Sequence, residues 1–445
     1  MENTMRKIKR YGIAALAIAL MAALTGCASR PESDNAISVM YLNTQGATGN
    51  GVVNPAEYDF IYRLDAWASR NPDVRLERRE RKDAGDIGPL ARLGEAHLPD
   101  VFIASVLSAA SLARAGLICD LSPYAEGYDA ERLEPFIYKG GLCALPALQC
   151  DRALVILDAQ AWQKAGCAKF PENWNDLVAA AGRLKGDGFD AAIGIDPENE
   201  TILSGGLLSL LLTQEDNRAW FNHIVEGDRQ AAFTDDAFLS MLASIRQMLQ
   251  SDVFSGREKL KGSLADAFAN GRCAAVMVTG TNVYKVLSHL REKAPERYAR
   301  LEFAALPWPG QPEGTTPALP SDHSMGLYIR SGLMQDPARL ARCIELCRAL
   351  TLPLEAPLPM QDDVLDRLEA FVRAQPTCPM CTLRLTGGFW SYANEKCFVD
   401  LDKSPEDDAD VLTIPQSAAL LQNYYEEYCL EVSDFSKLNF EVSME

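Results

Sequence analysis

Apolar positions along this chain fall into two patterns. Short unbroken runs alternate with stretches in which apolar residues recur every three or four positions, which predicts buried strands interleaved with amphipathic helices. Residues 37–42 form the first run, and a Gly-, Asn- and Thr-rich loop follows over 43–55. Residues 57–69 place Tyr58, Ile61, Leu64 and Ala68 on one helical face, and Asn71-Pro72-Asp73 ends that helix. Residues 74–78 alternate as a second strand, 98–104 read as a third, and a small-residue helix runs on to Gly116. From about residue 150 the pattern restarts, with strands over 153–157, 191–195, 273–278, 303–306 and 325–329. Helices are expected over 158–166, 174–186, 203–212, 237–250, 260–270, 337–350 and 362–374. Asn173 with Asp176 three residues on is close to a capping box. Strand–helix alternation favours parallel sheets with helices on both faces, and about 410 residues is long for one core.

The N-terminus departs from this pattern. Arg6, Lys7, Lys9 and Arg10 precede an unbroken apolar run over 13–23, and Leu24-Thr25-Gly26-Cys27 follows. A run that short cannot span a bilayer, and the arrangement is that of an export signal with a small residue before the cut and a thiol after it. It resembles the bacterial lipobox. The resemblance implies cleavage after residue 26, lipid on Cys27, and a chain tethered to the cell membrane on its extracellular or periplasmic side.

Composition narrows the partners. The whole chain has 43 basic and 61 acidic residues. Losing Glu2 and the four leading cations leaves 39 and 60, a net charge near −21. That excludes a nucleic-acid partner, whose binding needs basic contacts to phosphate, and leaves membrane attachment to the lipid. Twelve cysteines are many for an exported chain. Cys343 and Cys347 lie one turn apart on an expected helix. Cys378-Pro-Met-Cys381 is a lone CxxC, with Cys397 as a third candidate ligand and no fourth, so local disulfides or free thiols are favoured over zinc. No Gly-x-Ser-x-Gly, His-Glu-x-x-His or phosphate-loop motif occurs, so no cofactor or catalytic residue is assigned.

Six segments in order carry a family resemblance: Arg70-Asn-Pro-Asp-Val-Arg-Leu76; Leu98-Pro-Asp-Val-Phe102; Ala115-Gly-Leu-Ile-Cys-Asp-Leu-Ser-Pro-Tyr124; Ala144-Leu-Pro146 leading to residues 154–157; Ala165-Gly-Cys-Ala-Lys-Phe-Pro-Glu-Asn-Trp-Asn-Asp-Leu177; and Ala269-Asn-Gly-Arg-Cys-Ala-Ala-Val-Met277 with Gly280 after it. With them the chain resembles the extracellular solute-binding proteins of bacterial ABC importers, the group that includes maltose-binding protein. The resemblance implies an α/β, two-lobed, periplasmic-binding-protein-like fold. Each lobe would be a parallel-dominated sheet flanked by helices, joined by a hinge of crossing strands. The segments expected are a signal (1–26), a tether (27–36), a first lobe (37–148), a second lobe (149–302), a return to the first lobe (303–332, entered at Ala305-Leu-Pro307), and a C-terminal helical segment mostly on the second lobe (333–445). A non-enzymatic receptor that closes on a small solute and passes it to the importer's membrane subunits follows from the same resemblance, as a monomer.

Ligand contacts are expected at the carboxyl ends of the strands. The candidates are Asn43 and Gln45 after the first strand, Ser105 after the third, Gln149 and Asp151 at the crossover, Asn282 after Thr279-Gly280-Thr281, Trp308 and Asp322 around the return, and Trp390 in Gly387-Gly-Phe-Trp-Ser-Tyr392. An indole suits the CH face of a sugar, and Trp390 is also explained as a core residue packed by Phe389. Asn282 stands where these proteins often place a tryptophan, and Ala104-Ser-Val-Leu-Ser108 is small and apolar where sugar binders carry charged or aromatic residues. Carbohydrate is favoured. The alternatives are a peptide, polyamine or other cationic solute held by Asp151 and Asp322, a non-transporting sensor lipoprotein of the same fold, and an exported hydrolase.

Overall fold

The computed structural model describes residues 35–42, 55–81, 87–147, 151–195, 202–226, 231–260, 263–280, 282–323, 325–352, 362–378, 380, 387–398, 400–403 and 411–433. The signal segment, Cys27, Asn43, Gln45, Gln149 and Cys381 lie outside them. Among the described residues there are thirteen strands: β1 (Ala36–Leu42), β2 (Arg75–Arg81), β3 (Val101–Ser105), β4 (Ile137–Tyr138), β5 (Gly141–Leu142), β6 (Leu145–Pro146), β7 (Asp151–Asp158), β8 (Ala191–Gly194), β9 (Cys273–Thr279), β10 (Leu301–Ala304), β11 (Leu319–Asp322), β12 (Met325–Ile329) and β13 (Thr377–Cys378).

These strands build two sheets, ordered β2-β1-β3-β12-β6 and β13-β11-β7-β9-β8, with β10 also paired to β7 and β4–β5 forming a separate hairpin. In the first sheet every strand runs one way except β12. In the second every strand runs one way except β7. The exceptions share a cause. β7 and β12 receive the chain as it crosses from the other sheet, so they enter at the edge where their neighbours leave. Both sheets are therefore parallel-dominated, each with one reversed strand.

Burial explains the unbroken apolar runs. On β7, Ala153, Val155 and Leu157 face one core, while Leu154 and Ile156 face another. A strand covered on both faces reads as continuous hydrophobicity rather than alternation. One face is covered by the helices Trp174–Gly186, Asp236–Gln250 and Ile414–Ser433, and the other by Asn282–Lys293 and Asp363–Ala374. The expected cap is present, with the Asp176 backbone N–H donating to Asn173 Oδ1 at 2.9 Å. The first sheet has its own core around Val39, Trp67, Phe102, Phe136 and Tyr328, with the Phe102 and Tyr328 rings stacked at 5.6 Å.

The segment boundaries differ from expectation at the return. The return to the first lobe is expected over 303–332, yet β10 and β11 pair with β7 in the second sheet. The chain returns between Asp322 and Met325, not at Ala305-Leu306-Pro307. Short apolar runs mark a strand but not the sheet it joins. The helix Pro337–Thr351 packs Cys343, Ile344, Leu346, Cys347 and Leu350 into the first core, whereas the later C-terminal helices pack on the second lobe. Expected helix 203–212 begins as a π-helical stretch, Ile202–Leu208.

At the edge of the first sheet remote from the crossings, Asp100 is fully buried and ties four elements together. Its carboxylate accepts from the Ser38 N–H at 2.7 Å, from Arg339 at 2.7 Å and from Arg330 at 2.8 Å. Burial alone would raise its pKa, but the Ser38 N–H and the two guanidinium groups outweigh it and hold the carboxyl below its ordinary value.

Candidate functional site

The two crossings run side by side. In the first sheet Pro146 on β6 pairs with Gly326 on β12, and in the second Asp151 on β7 pairs with Asp322 on β11. Between these pairs the Ala147 N–H donates to Met325 O at 2.9 Å, and His323 Nδ1 lies 3.2 Å from Ala147 O. These two crossings run as adjacent strands, and the chain changes lobe once more between the helices Pro337–Thr351 and Asp363–Ala374, so rotation of one lobe against the other acts on all three connections.

The strand ends beside the crossings lie on one edge of each sheet. On the first-lobe edge, β1 ends at Leu42, β3 ends at Ser105, and Met325 pairs with Ser105. The Ser105 carbonyl accepts from the Tyr328 hydroxyl at 3.0 Å, which fixes the end of β3. Leu42, Ala147 and Met325 form a small apolar cluster behind this edge. On the second-lobe edge, β7 begins at Asp151, β9 ends at Thr279 and β11 ends at Asp322. Thr279 pairs with Ala153, and the Gly280 N–H donates to Arg152 O at 2.9 Å.

Gly280 has a reason to be glycine. Its φ of +53° is in the left-handed region, and a Cβ there would sit 3.2 Å from Asp151 Oδ1. The turn after β9 is therefore pressed against the Asp151 carboxylate. Asn282 then opens the helix Asn282–Lys293, where its Oδ1 accepts from Lys285 Nζ at 3.1 Å. Gly206 is the other close approach: a Cβ there would lie 2.7 Å from Met277 Cε, so the π-helical stretch lies down directly on β9.

Ser105, Asp151, Asn282 and Asp322 thus gather at the two edges flanking the crossings. The two tryptophans are elsewhere. Trp390 is 3 % exposed in the core of the second lobe, edge-on to Phe389 with ring centroids 5.2 Å apart. Trp308 is 4 % exposed and lines a cavity of 920 Å³ with Trp174, Gln247 and Gln311, on the flank of the second lobe. It follows β10, which is a second-sheet strand, so it does not stand at the return crossing. The structure adds Thr279, Gly280 and the hinge contact of His323 with Ala147. The Thr-Gly pair after an apolar run was the available sequence signal for the turn. The hinge contact left none, because it joins residues 176 positions apart.

Among the described residues no group of three His, Cys, Asp or Glu side chains is placed to hold a metal ion. The eight cysteines whose side chains are described are free thiols, seven of them buried. No helix among those residues is long and apolar enough to cross a membrane.

Two α/β lobes joined by adjacent crossing strands, with strand ends gathered beside the crossings, define a receptor architecture. The family of bacterial extracellular solute-binding proteins matches residues 65–332, more than half of the chain, and the chain belongs to that family. No curated protein sequence matches it significantly. Among solved structures it is similar to a probable secreted solute-binding lipoprotein from Streptomyces coelicolor (13% identity, 89% of this chain and 99% of that one, TM-score 0.67). It is also similar to the sugar-binding protein MalE from Xanthomonas citri (15% identity, 91% and 100%, TM-score 0.64) and to a chitin oligosaccharide binding protein (14% identity, 88% and 98%, TM-score 0.62).

Proposed function

We propose that this protein is a lipid-anchored extracellular receptor that closes on a carbohydrate and delivers it to an ABC importer. The observation that carries the reading is the pair of crossings, β6 to β7 and β11 to β12, lying side by side with polar strand ends on both flanks. A solute bridging those ends stabilises the closed form by its differential affinity, and closure is a shape that membrane subunits can read. No covalent step is required, and the protein acts as a binding protein rather than an enzyme. The similar structures include the sugar-binding MalE, the chitin oligosaccharide binding protein and a protein crystallised with cycloalternan, which supports a carbohydrate. Ser105, Asn43 and Gln45 supply the first-lobe contacts in this reading. Asp151, Asn282, Asp322 and Gln149 supply those of the second lobe and the crossing. Lipid on Cys27 holds the receptor at the membrane.

One observation favours a second reading. Asp151 and Asp322 occupy directly opposed positions at the mouth of the hinge, an arrangement suited to an ammonium group of a polyamine or peptide. A thermal-shift screen of sugars, oligosaccharides, peptides and polyamines separates the two. A ligand at about 100 times its Kd adds roughly 2.7 kcal/mol. A shift with one sugar series supports the carbohydrate receptor, a shift with cations alone transfers the site to the second reading, and no shift with any compound counts against transport.

A further inference from the structure

Four large apolar side chains stay exposed among the described residues: Tyr62, Leu93, Ile137 and Met334, each more than half exposed. Three of them belong to segments distributed along one edge of the first sheet, the edge opposite the crossings. That edge is defined by the starts of β1 and β3 and the end of β12, where Ile329 pairs with Val101. Beyond it, the Gly332 N–H donates to Glu95 at 3.0 Å, which brings the segments of Leu93 and Met334 together. The Cys119 N–H donates to Ile329 O at 2.8 Å and the Leu121 N–H to Leu142 O at 2.7 Å, which bring the β4–β5 hairpin and Ile137 to the same edge.

The hairpin adds cations. Arg114 and Lys139 lie over the Tyr138 ring, 6.0 and 5.5 Å from its centroid, on a chain whose net charge is −18. Of the acidic groups around this edge, Glu95 is engaged by Arg330 at 2.9 Å and Asp120 by the Ser122 hydroxyl at 2.6 Å, while Asp129 and Glu134 stay exposed. A tyrosine between cations, flanked by aliphatic side chains, suits a membrane interface. The sequence also says what is near this edge. β1 begins there, and Cys27 stands nine residues before Ala36, so an extended tether reaches only about 30 Å at 3.3–3.6 Å per residue.

We propose that this edge of the first lobe is a membrane-resting surface. Leu93, Ile137 and Met334 enter the headgroup region, Arg114 and Lys139 meet anionic headgroups, and the cleft is held at the far end of the lobe from the bilayer. A second weak contact beside a lipid anchor adds orientation to an attachment that the lipid already secures. This rests on the lipid anchor proposed above.

The test uses the full chain carrying its native lipid, with mass spectrometry reporting lipid on Cys27. It is reconstituted on vesicles of phosphatidylethanolamine and phosphatidylglycerol, and its backbone hydrogen exchange is compared with that of the free Cys27→Ser chain. Slower exchange on vesicles confined to residues 91–95, 137–142 and 331–335 is expected. That protection is expected to be lost in Ile137→Glu/Lys139→Glu, whose exposed sites leave the melting temperature unchanged. It should also weaken at about 1 M salt, where the screening length falls to about 3 Å. Lipidated Cys27 with no protection at these segments, or protection at the cleft edge instead, overturns the resting surface and leaves the anchor standing. An unmodified Cys27 overturns both.

Discussion

Asp151 and Asp322 face each other across the antiparallel pair β7–β11, one at the start of its strand and the other at the end. Each is the second-lobe terminus of a crossing strand, so the hinge and the proposed binding edge are the same few residues. The pairing sets two acidic positions opposite each other in the strand register, where a polyhydroxyl or cationic ligand would find acceptors. The Gly280 turn pressed against Asp151 keeps that carboxylate at the edge.

Asp151→Ala is therefore expected to weaken ligand binding about 10- to 100-fold, the loss of one charged hydrogen bond at roughly 1.5–3 kcal/mol. The unliganded melting temperature should change little, because Asp151 is only half-buried. Calorimetric titration with whichever compound shifts the melting temperature checks this. Unchanged affinity would remove Asp151 from the site.

Gly280→Val places a β-branched side chain in the left-handed region and against Asp151 Oδ1. A stability loss of at least about 1–2 kcal/mol is expected, together with weaker binding. Denaturant unfolding and titration of the same sample measure both effects, and a variant with wild-type behaviour in both would show that the turn does not set the carboxylate.

Asp100 predicts an acid-sensitive first lobe. Its folded pKa lies below its unfolded value of about 3.9, so its stabilisation is present above that value and is lost as pH falls through the folded pKa. Asp100→Asn leaves Arg330 and Arg339 without their buried carboxylate and is expected to cost about 3–5 kcal/mol. Melting curves over the acid range should show a shallower pH dependence in the variant than in the parent.

Trp390→Ala tests where that indole belongs. As a core residue packed on Phe389 it should cost about 3–5 kcal/mol in the absence of any ligand. A variant of undiminished stability that has lost ligand binding would place Trp390 in the cleft instead.

The native thiols should be slow to react. Burial pushes Cys119 and Cys143 up to about 11 and Cys273, Cys378 and Cys397 up to about 12, so little thiolate forms at neutral pH. Cys167 is the half-buried one among the described cysteines. Mass-spectrometric mapping with a thiol reagent should find Cys167 modified before Cys119, Cys143, Cys273, Cys343, Cys347, Cys378 and Cys397, which should follow only on unfolding.

Elements with strong local physics were legible in the chain. The helix Trp174–Gly186 was set by its Asn173 cap and by Trp174, Leu177, Ala181 and Leu184 on one face, and β12 by an apolar run ended on both sides by polar residues. Asp158 was less readable. It is 2 % exposed, caps the helix Ala159–Lys164 and meets Arg297 and Arg300, two partners about 140 residues away.

What the sequence determined by itself was the order of strands and helices, the acidic composition and the family, because each rests on composition or on neighbours close along the chain. Only the tertiary structure decided that β10 and β11 belong to the second sheet, that the return crossing is at residues 322–325, that Asp151 meets Asp322, and that Trp390 is core. Strand pairing and burial depend on contacts between residues far apart in sequence. The same apolar run satisfies either sheet until its hydrogen-bonded neighbour is known.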